Sequence, residues 1–151
     1  MDIVKKIEAL RAFYDSGKTL SFCYRLAQLK KLKKSIIKYE KQIEEALKAD
    51  LNKSDNEAYM TEIGITLSEL TNMISGLSSY MKPKTVRTPL TLFKAKSFIS
   101  PHPYGVCLIL SPWNYPFQLS INPLIGAIAA GNVALIKPSA YAPHTAALIE
   151  R

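Results

Sequence analysis

The architecture of this chain is set by residues 106–139, VCLILSPWNYPFQLSINPLIGAIAAGNVALIKPS. Two short apolar runs, 106–110 and 133–136, flank a longer segment, and such runs bounded by turn residues are typical of strands buried on both faces. Between them, residues 117–130 are rich in Leu, Ile and Ala and end at Gly131-Asn132, a signal for the end of a helix. This order predicts a βαβ unit with parallel strands and a right-handed crossover.

Three further features of this region follow from its composition. Pro123 should kink the helix over 117–130 or lie in its first turn. That helix is apolar nearly all round, so we expect neighbours on more than one of its sides. Pro143 and His144 open another apolar segment, which predicts a helix after the second strand.

The chain upstream of residue 83 has helical periodicity. It predicts helices over 2–15, 19–50 and 60–81, with a polar break at 52–56. The apolar positions of the last two helices are Phe22, Leu29, Ile36 and Ile43, and then Met60, Ile63, Leu67, Leu70, Ile74, Leu77 and Met81. A coiled-coil seam has similar spacing, but we favour packing of the two helices as an antiparallel pair within the chain.

Prolines punctuate the chain from residue 83 onwards. Residues 84–100 are extended in character and predict a hairpin or an arm. The sequence therefore predicts an α/β fold in three parts: an N-terminal helical segment over 1–82, an extended arm or hairpin over 83–103, and an incomplete βαβ part over 104–151.

The 151 residues carry a formal net charge of +8, and much of the excess comes from lysines. The clustered ones are Lys30, Lys31, Lys33, Lys34, Lys38 and Lys41. Such a cluster fits a surface that binds nucleic acid or anionic membranes, or else the solvated face of a helix. We favour the solvated face and expect no nucleic-acid partner, because no aromatic residues or glycines interleave with the lysines as a base-stacking surface requires.

The two cysteines, Cys23 and Cys107, form neither a disulfide framework nor a CxxC motif, so we predict no metal site. Both lie in apolar stretches, which predicts small buried side chains in a reduced, cytoplasmic setting. The N-terminus contains acidic residues and does not resemble a signal peptide. No apolar run reaches the ~18 residues of a membrane span, so we predict no span in this portion of the chain.

Polar residues follow both predicted strands. SPWNYP, residues 111–116, comes after the first strand, and Lys137-Pro138-Ser139 comes after the second. Ligands of open parallel sheets bind outside the carboxyl ends of the strands, and neighbouring strands place such loops side by side. We therefore predict one cleft that receives the amide of Asn114 and the amine of Lys137.

Taken in order, SPWNYPF (111–117), the apolar helix, Gly131-Asn132 and Lys137-Pro138-Ser139 resemble the aldehyde dehydrogenase superfamily. AYMTEIG (58–64) and VRTP (86–89) are most similar to its class 3, fatty-aldehyde branch. The resemblance covers essentially the whole chain and corresponds to the N-terminal portion of the family. It implies the start of a Rossmann-like cofactor-binding domain, NAD or NADP as cofactor, an aldehyde substrate and a homo-oligomer when full length.

The resemblance gives Asn114 a catalytic role, in which its side-chain amide donates to the oxyanion that forms when a cysteine attacks the aldehyde. An amide suits this task because its NH2 group is a donor without a titrating charge. The structural alternative is an asparagine that caps a turn between two prolines. Tyr115 and Phe117 would either wall the aldehyde tunnel or begin the following helix.

Five residues are implied as cofactor contacts. Lys137 would hold the adenosine ribose hydroxyls, a task that suits a flexible cation. Trp113 and the backbones of Ser111 and Pro112 would lie beside the nicotinamide half, and Ser139 would reach the adenosine side. A surface lysine and a core tryptophan are the structural alternatives for Lys137 and Trp113.

One position departs from the family pattern. Many members have a glutamate two residues after the proline of the KPS motif, where this chain has Ala140. That glutamate accepts a ribose hydroxyl in NAD-preferring members, and its loss removes a negative charge that would repel a 2′-phosphate. Both NAD and NADP therefore stay open.

The remaining sequence supplies no other catalytic group. No glycine-rich phosphate loop occurs, and neither Cys23 nor Cys107 has the setting of the family's nucleophile. His102 and His144 lack a partner pattern for catalysis, so we assign both to structure. Because the nucleophilic cysteine and the base glutamate lie later in the family, we expect the isolated chain to be inactive. A non-catalytic truncated fragment and a basic binding module are the alternative hypotheses.

Overall fold

The computed structural model describes residues 3–151. Its helices and strands are α1 (Ile3–Asp15), α2 (Phe22–Lys38), α3 (Glu40–Leu51), α4 (Asp55–Ala58), α5 (Gly64–Tyr80), β1 (Lys84–Val86), β2 (Ser97–Ile99), β3 (Val106–Leu110), α6 (Gln118–Ala130), β4 (Val133–Lys137) and α7 (Pro143–Glu150). A π-helical turn, Tyr59–Ile63, joins α4 to α5. The predicted α/β fold with N-terminal helices is confirmed, although Asp2, the first residue of the first predicted helix, lies outside the described residues.

The predicted βαβ unit is present. Strands β3 and β4 pair in parallel, in a register that runs from Val106 opposite Val133 to Leu110 opposite Lys137. Helix α6 connects them and packs against both strands. Pro123 lies inside α6 rather than in its first turn. The carboxyl ends of the two strands therefore meet at one edge of the sheet, as the sequence predicts.

The prediction that these strands are buried on both faces is wrong for the described chain. Ile109 is 7% exposed, whereas its neighbours Leu108 and Leu110 are 60% and 65% exposed. Alternate residues of a strand point to opposite faces, so Leu108 and Leu110 share the face that is turned away from the Ile109 side. Packing against the described helices shields Ile109 and leaves most of these two leucines open.

The predicted hairpin is also present, between residues 84 and 99. Strands β1 and β2 pair antiparallel, with Lys84 opposite Ile99 and Val86 opposite Ser97. The hairpin side chains are largely exposed, and Phe93 at its turn is 81% exposed.

The core lies between the N-terminal helices and α6. Helix α2 packs against α5 and α6, α5 packs against α6, and α3 packs against α7. The buried core side chains are Leu29, Ile36, Ile43, Leu47, Ala58, Ile63, Leu70, Leu77, Phe117, Ile121, Ile125 and Ala129. The apolar stripes predicted for the second and third helices thus meet within the chain, although Phe22 is 38% exposed and stands outside this core.

The single helix predicted over 19–50 is two helices. Helix α2 ends and α3 begins at Tyr39, whose φ of −102° and ψ of 14° leave the helical region. The break lets α3 pack against α7 while α2 packs against α5 and α6. No glycine or proline marks this break in the sequence. Tertiary packing rather than local propensity therefore determines where α2 ends.

Neither cysteine is fully buried, so that prediction is wrong. Cys23 is exposed and Cys107 is half-buried. Cys23 shares the outer face of α2 with the lysines, of which Lys30, Lys31 and Lys34 are exposed. In the described part of the chain, no helix is long and apolar enough to cross a membrane.

Candidate functional site

The loop after β3 is attached to the end of β4. The backbone N–H of Ser111 donates to the carbonyl oxygen of Lys137 at 3.3 Å, so the hydrogen bonding of the sheet continues one step past β3. The two loops predicted to carry the site therefore start side by side.

Ser111 and Ser120 link the two ends of this loop. The Ser120 hydroxyl donates to the carbonyl oxygen of Pro116 at 2.6 Å. Ser111 Oγ lies 2.6 Å from Ser120 Oγ, and because the single hydroxyl proton of Ser120 is already used, Ser111 is the donor. The side chains of Ser111 and Ser120 are buried, so the hydroxyl of Ser111 holds the loop and only its backbone is left for a ligand.

A buried ion pair lies beneath the same loop. Lys53 Nζ is 2.6 Å from Glu62 Oε1, and the two side chains are 8% and 0% exposed. The other carboxylate oxygen, Glu62 Oε2, accepts from the backbone N–H groups of Phe117 and Gln118 at 2.9 and 3.1 Å. The first N–H groups of a helix have no partner within the helix, and a negative charge is favoured there, so the carboxylate of Glu62 caps the start of α6.

Lys53 makes two further contacts with the loop. Its Nζ donates to the carbonyl oxygen of Asn114 at 3.4 Å and lies 4.1 Å from the centroid of the Tyr115 ring. A cation at that distance from an aromatic ring is attracted by the negative face of the ring. The ammonium of Lys53 therefore joins the π-helical turn, through Glu62, to residues 114 and 115.

The side chains of the loop itself face outward. Trp113 is 54% exposed, and Pro112 and Asn114 are also exposed. Among the described residues, the side-chain amide of Asn114 has no hydrogen-bond partner, whereas its backbone is held. The arrangement thus presents a free amide donor on a fixed backbone. Phe117, by contrast, is buried in the core, and Tyr115 lies against Lys53.

A cavity of about 710 Å³ opens at the carboxyl end of β4. Its lining includes Lys137, the last residue of β4, and Pro138 and Ser139, which follow the strand. Lys6 from α1, Glu150 from α7 and several alanines and isoleucines complete the lining. The Ser139 hydroxyl accepts from the backbone N–H of Tyr141 at 3.2 Å.

The predicted site residues thus fall into two neighbouring groups. Lys137 and Ser139 line the cavity, whereas Ser111, Pro112, Trp113 and Asn114 belong to the adjacent loop and do not line it. The Ser111–Lys137 hydrogen bond joins the two groups. A single cleft that receives both Asn114 and Lys137 stays a prediction.

Helix α7, on one wall of the cavity, is capped by a residue of α3. Asp50 accepts from the backbone N–H groups of His144 and Thr145, from Thr145 Oγ1 at 2.7 Å, and pairs with His144 Nδ1 at 2.8 Å. Burial acts to raise the pKa of Asp50, but the hydrogen bonds from Thr145 and His144 outweigh it and hold the pKa below its ordinary value of 3.8. This contact agrees with the structural assignment of His144.

Neither Lys53 nor Glu62 is marked as a site residue by any pattern in the sequence. Lys53 lies in a polar break, where a lysine is normally solvated, and Glu62 interrupts an apolar stripe within the AYMTEIG segment. The π-helical turn adds a residue to the helix at this point, so Met60 is 73% exposed and Glu62 is buried. π-Helical turns are frequent at functional sites, and they leave no clear signal in one sequence.

Two parallel strands joined by a packed helix, with polar loops and a cavity at their carboxyl ends, form the arrangement at which open α/β sheets bind their ligands. The chain belongs to the aldehyde dehydrogenase family, because the sequence profile of that family matches residues 1–151.

Two relatives from bacteria and plants illustrate the similarity. The chain is 50% identical over 149 residues to the 4,4'-diaponeurosporen-aldehyde dehydrogenase of Staphylococcus aureus, a match covering 99% of the chain and 32% of that protein. It is 42% identical over 145 residues to aldehyde dehydrogenase family 3 member I1, chloroplastic, of Arabidopsis thaliana, covering 96% of the chain and 26% of that protein. The chain thus spans about a third or less of these relatives.

Solved structures agree with the fold. The substrate-bound state of Staphylococcus aureus AldH superposes with a TM-score of 0.98 at 50% identity, covering all of the chain and 33% of that structure. Glyceraldehyde-3-phosphate dehydrogenase GapN of Methanocaldococcus jannaschii, complexed with NADP, gives a TM-score of 0.83 at 21% identity, covering 96% of the chain and 30% of that structure. The GapN similarity shows the fold alone.

Proposed function

We propose that this chain is the N-terminal part of an NAD(P)-dependent aldehyde dehydrogenase that oxidises aldehydes to carboxylic acids in the cytoplasm, as a homo-oligomer when full length. The observation that carries the proposal is the free side-chain amide of Asn114 on a backbone held by Lys53, at the carboxyl end of β3. The isolated chain is inactive, because it contributes an oxyanion donor and part of a cofactor site but neither a nucleophile nor a base.

The role of Asn114 follows from its chemistry and setting. When a thiolate attacks an aldehyde, negative charge develops on the carbonyl oxygen, and a preorganised donor lowers the energy of that state. The Asn114 amide is neutral, exposed and unpaired among the described residues, so it offers its protons without first breaking an internal bond. Its backbone carbonyl is engaged by Lys53, which limits the reorganisation of the loop during the reaction.

The cavity after β4 fits an anionic dinucleotide. Its volume, about 710 Å³, lies within the ~300–1,000 Å³ range of small-molecule sites. Lys137 and Lys6 supply positive charge for phosphates and hydroxyl oxygens, while the alanines and isoleucines supply apolar surface for a flat base. The bound dinucleotide supplies the electron acceptor of the reaction, and Lys137, Ser139, Trp113 and the backbones of Ser111 and Pro112 hold it.

The choice between NAD and NADP depends on the charges that line this cavity. Ala140 contributes no carboxylate where many family members have one, which favours room for a 2′-phosphate. Glu150 lines the same cavity from α7 and contributes a negative charge of its own. Two cations and one acid face the ligand, so we propose that either cofactor is accepted.

The decisive experiment is Asn114→Ala in the complete protein that carries this chain. Removing one oxyanion donor lowers kcat by about 10²–10³-fold, with little change in KM for the cofactor. Steady-state oxidation is measured with aliphatic aldehydes and with 4,4'-diaponeurosporen-aldehyde, separately with NAD and NADP.

Asn72→Ala is the matched control, because Asn72 is an exposed asparagine on α5. It should leave kcat unchanged. A wild-type rate in the Asn114 variant would show that Asn114 stabilises no oxyanion.

A further inference from the structure

Among the described residues, one hydrogen bond secures the segment between Pro112 and Asn114. Ser111, Pro116 and Ser120 hold the two ends of the loop. Within the described chain, the hydrogen bond that reaches residues 112–114 is the one from Lys53 Nζ to the Asn114 carbonyl oxygen. The position of the Asn114 backbone therefore depends on where the ammonium of Lys53 is held.

Glu62 determines that position. Its Oε1 binds Lys53 at 2.6 Å, and its Oε2 binds the N–H groups of Phe117 and Gln118. Both carboxylate oxygens are thus used, one for the ion pair and one for the first residues of α6. Because the Glu62 side chain is 0% exposed, water does not compete for these contacts.

Tyr115 adds a third constraint on the ammonium. Lys53 Nζ lies 4.1 Å from the centroid of the Tyr115 ring, so the ring covers the cation on the side of the loop. One ion pair consequently touches residues 114, 115, 117 and 118, on both sides of Pro116. The same pair that caps the start of α6 therefore also holds the loop on the other side of Pro116.

We propose that Lys53 and Glu62 are positioning residues that present the Asn114 amide to the reacting oxygen. This inference rests on the oxyanion role proposed for Asn114 above. The pair does not touch the substrate. It fixes the backbone of 114–117 so that the amide needs no rearrangement when negative charge appears, and a displacement of about 1 Å at such a site lowers the rate by roughly 100-fold.

The first test is Lys53→Met in the complete protein, with Lys33→Met as the matched control. Lys33 on α2 also donates a hydrogen bond to a neighbouring element, from its Nζ to Thr71 Oγ1 of α5 at 2.7 Å, but none of its described hydrogen bonds reaches the loop. We expect Lys53→Met to lower kcat by roughly 10–100-fold with KM for the cofactor nearly unchanged, and Lys33→Met to leave both unchanged.

Amide hydrogen exchange measured by mass spectrometry follows the loop without reference to activity. In Lys53→Met, peptides covering residues 111–119 should exchange faster than in the wild type, while peptides from the β1–β2 hairpin keep their rates. An unchanged exchange rate at 111–119 overturns the proposal. If the wild-type protein oxidises no aldehyde, the proposed function fails, and the exchange measurement still decides whether the pair holds the loop.

The double variant Lys53→Met/Glu62→Gln separates positioning from stability. The single variant leaves the Glu62 carboxylate buried without a counter-charge, which lowers the melting temperature. The double variant removes both charges, so the melting temperature should recover while kcat stays low and the loop still exchanges fast. Recovery of kcat together with the melting temperature would show that the pair serves stability alone and would overturn the proposal.

Discussion

Gly131 ends α6 with a φ of 89°, in the left-handed region that favours glycine. A Cβ atom at this position would clash with the guanidinium of Arg25. Arg25 is buried, and its guanidinium donates to the carbonyl oxygens of Thr19 and Ala129 at 2.6 and 3.1 Å. The glycine therefore permits both the backbone turn and the close approach of Arg25 to the end of α6.

We predict that Gly131→Ala lowers the free energy of unfolding by more than ~2 kcal/mol, because backbone strain adds to displacement of the Arg25 guanidinium. Urea unfolding measures the change. Gly126→Ala is the matched control: Gly126 lies inside α6, and an added Cβ would meet nothing within 4 Å. The free energy of unfolding of Gly126→Ala should equal that of the wild type or exceed it by up to ~1 kcal/mol. Similar unfolding midpoints for the two variants would contradict the argument.

The buried pair of Lys53 and Glu62 could not be predicted from the sequence, for a physical reason. A lysine or a glutamate is rarely buried unless it is paired, and pairing across nine positions joined by a π-helical turn has no periodic signal. Local composition, in contrast, identifies the two strands, and Asn114 follows β3 while Lys137 ends β4, so the placement of both residues at neighbouring strand ends could be predicted.

At the scale of elements, local patterns predicted what local interactions determine. The βαβ unit and the β1–β2 hairpin formed where apolar runs and turn residues indicate them. The break at Tyr39 was not predicted, because it depends on the packing of α3 against α7. The π-helical turn was not predicted either, because it accompanies the burial of Glu62. The exposure of Leu108 and Leu110 likewise depends on which elements cover the sheet.

Asp50 is the element-scale contact that pH should control. Its pKa is held below 3.8, so its contribution to stability is complete above that pH and is lost as the pH falls through the lower folded-state pKa. We predict that Asp50→Asn lowers the free energy of unfolding by ~1–3 kcal/mol at neutral pH, because it weakens the cap of α7. The difference from the wild type should narrow as the pH drops below about 4.

Urea unfolding at a series of pH values checks this prediction. Asp15→Asn, at the exposed end of α1, is the control, and its free energy of unfolding should stay close to that of the wild type. A gap between Asp50→Asn and the wild type that stays constant down to the lowest pH would rule out the Asp50 carboxylate as its source.

At the scale of the whole molecule, the chain carries the proposed oxyanion donor and the cavity proposed for the cofactor, and its cysteines are Cys23 and Cys107. Cys107 lies in the middle of β3 and Cys23 lies on α2, and neither lines the cavity after β4. We predict that the purified 151-residue chain oxidises no aliphatic aldehyde, as followed by NADH or NADPH absorbance. Turnover by this chain would contradict the proposal that the nucleophile and the base lie outside these 151 residues.

The reading frame downstream of codon 151 is a separate check of the same prediction. A continuing frame that encodes a nucleophilic cysteine and a base supports the enzyme, whereas a stop codon supports the truncated-fragment alternative.

Lys30, Lys31 and Lys34 on the outer face of α2 are open to solvent, which suits their interpretation as a solvated face of a protein with net charge +8.

The contact between Lys53 and the Asn114 carbonyl reaches across 61 positions of the chain. The loop after β3 is therefore coupled to Lys53, just after α3, and through Glu62 to the π-helical turn. A chimera assembled from two family members with a junction between residues 62 and 111 would take the loop that carries Asn114 from one parent and the Lys53–Glu62 pair that contacts this loop from the other. The N-terminal helical segment and the loop after β3 should therefore be exchanged together, although they lie far apart in the sequence.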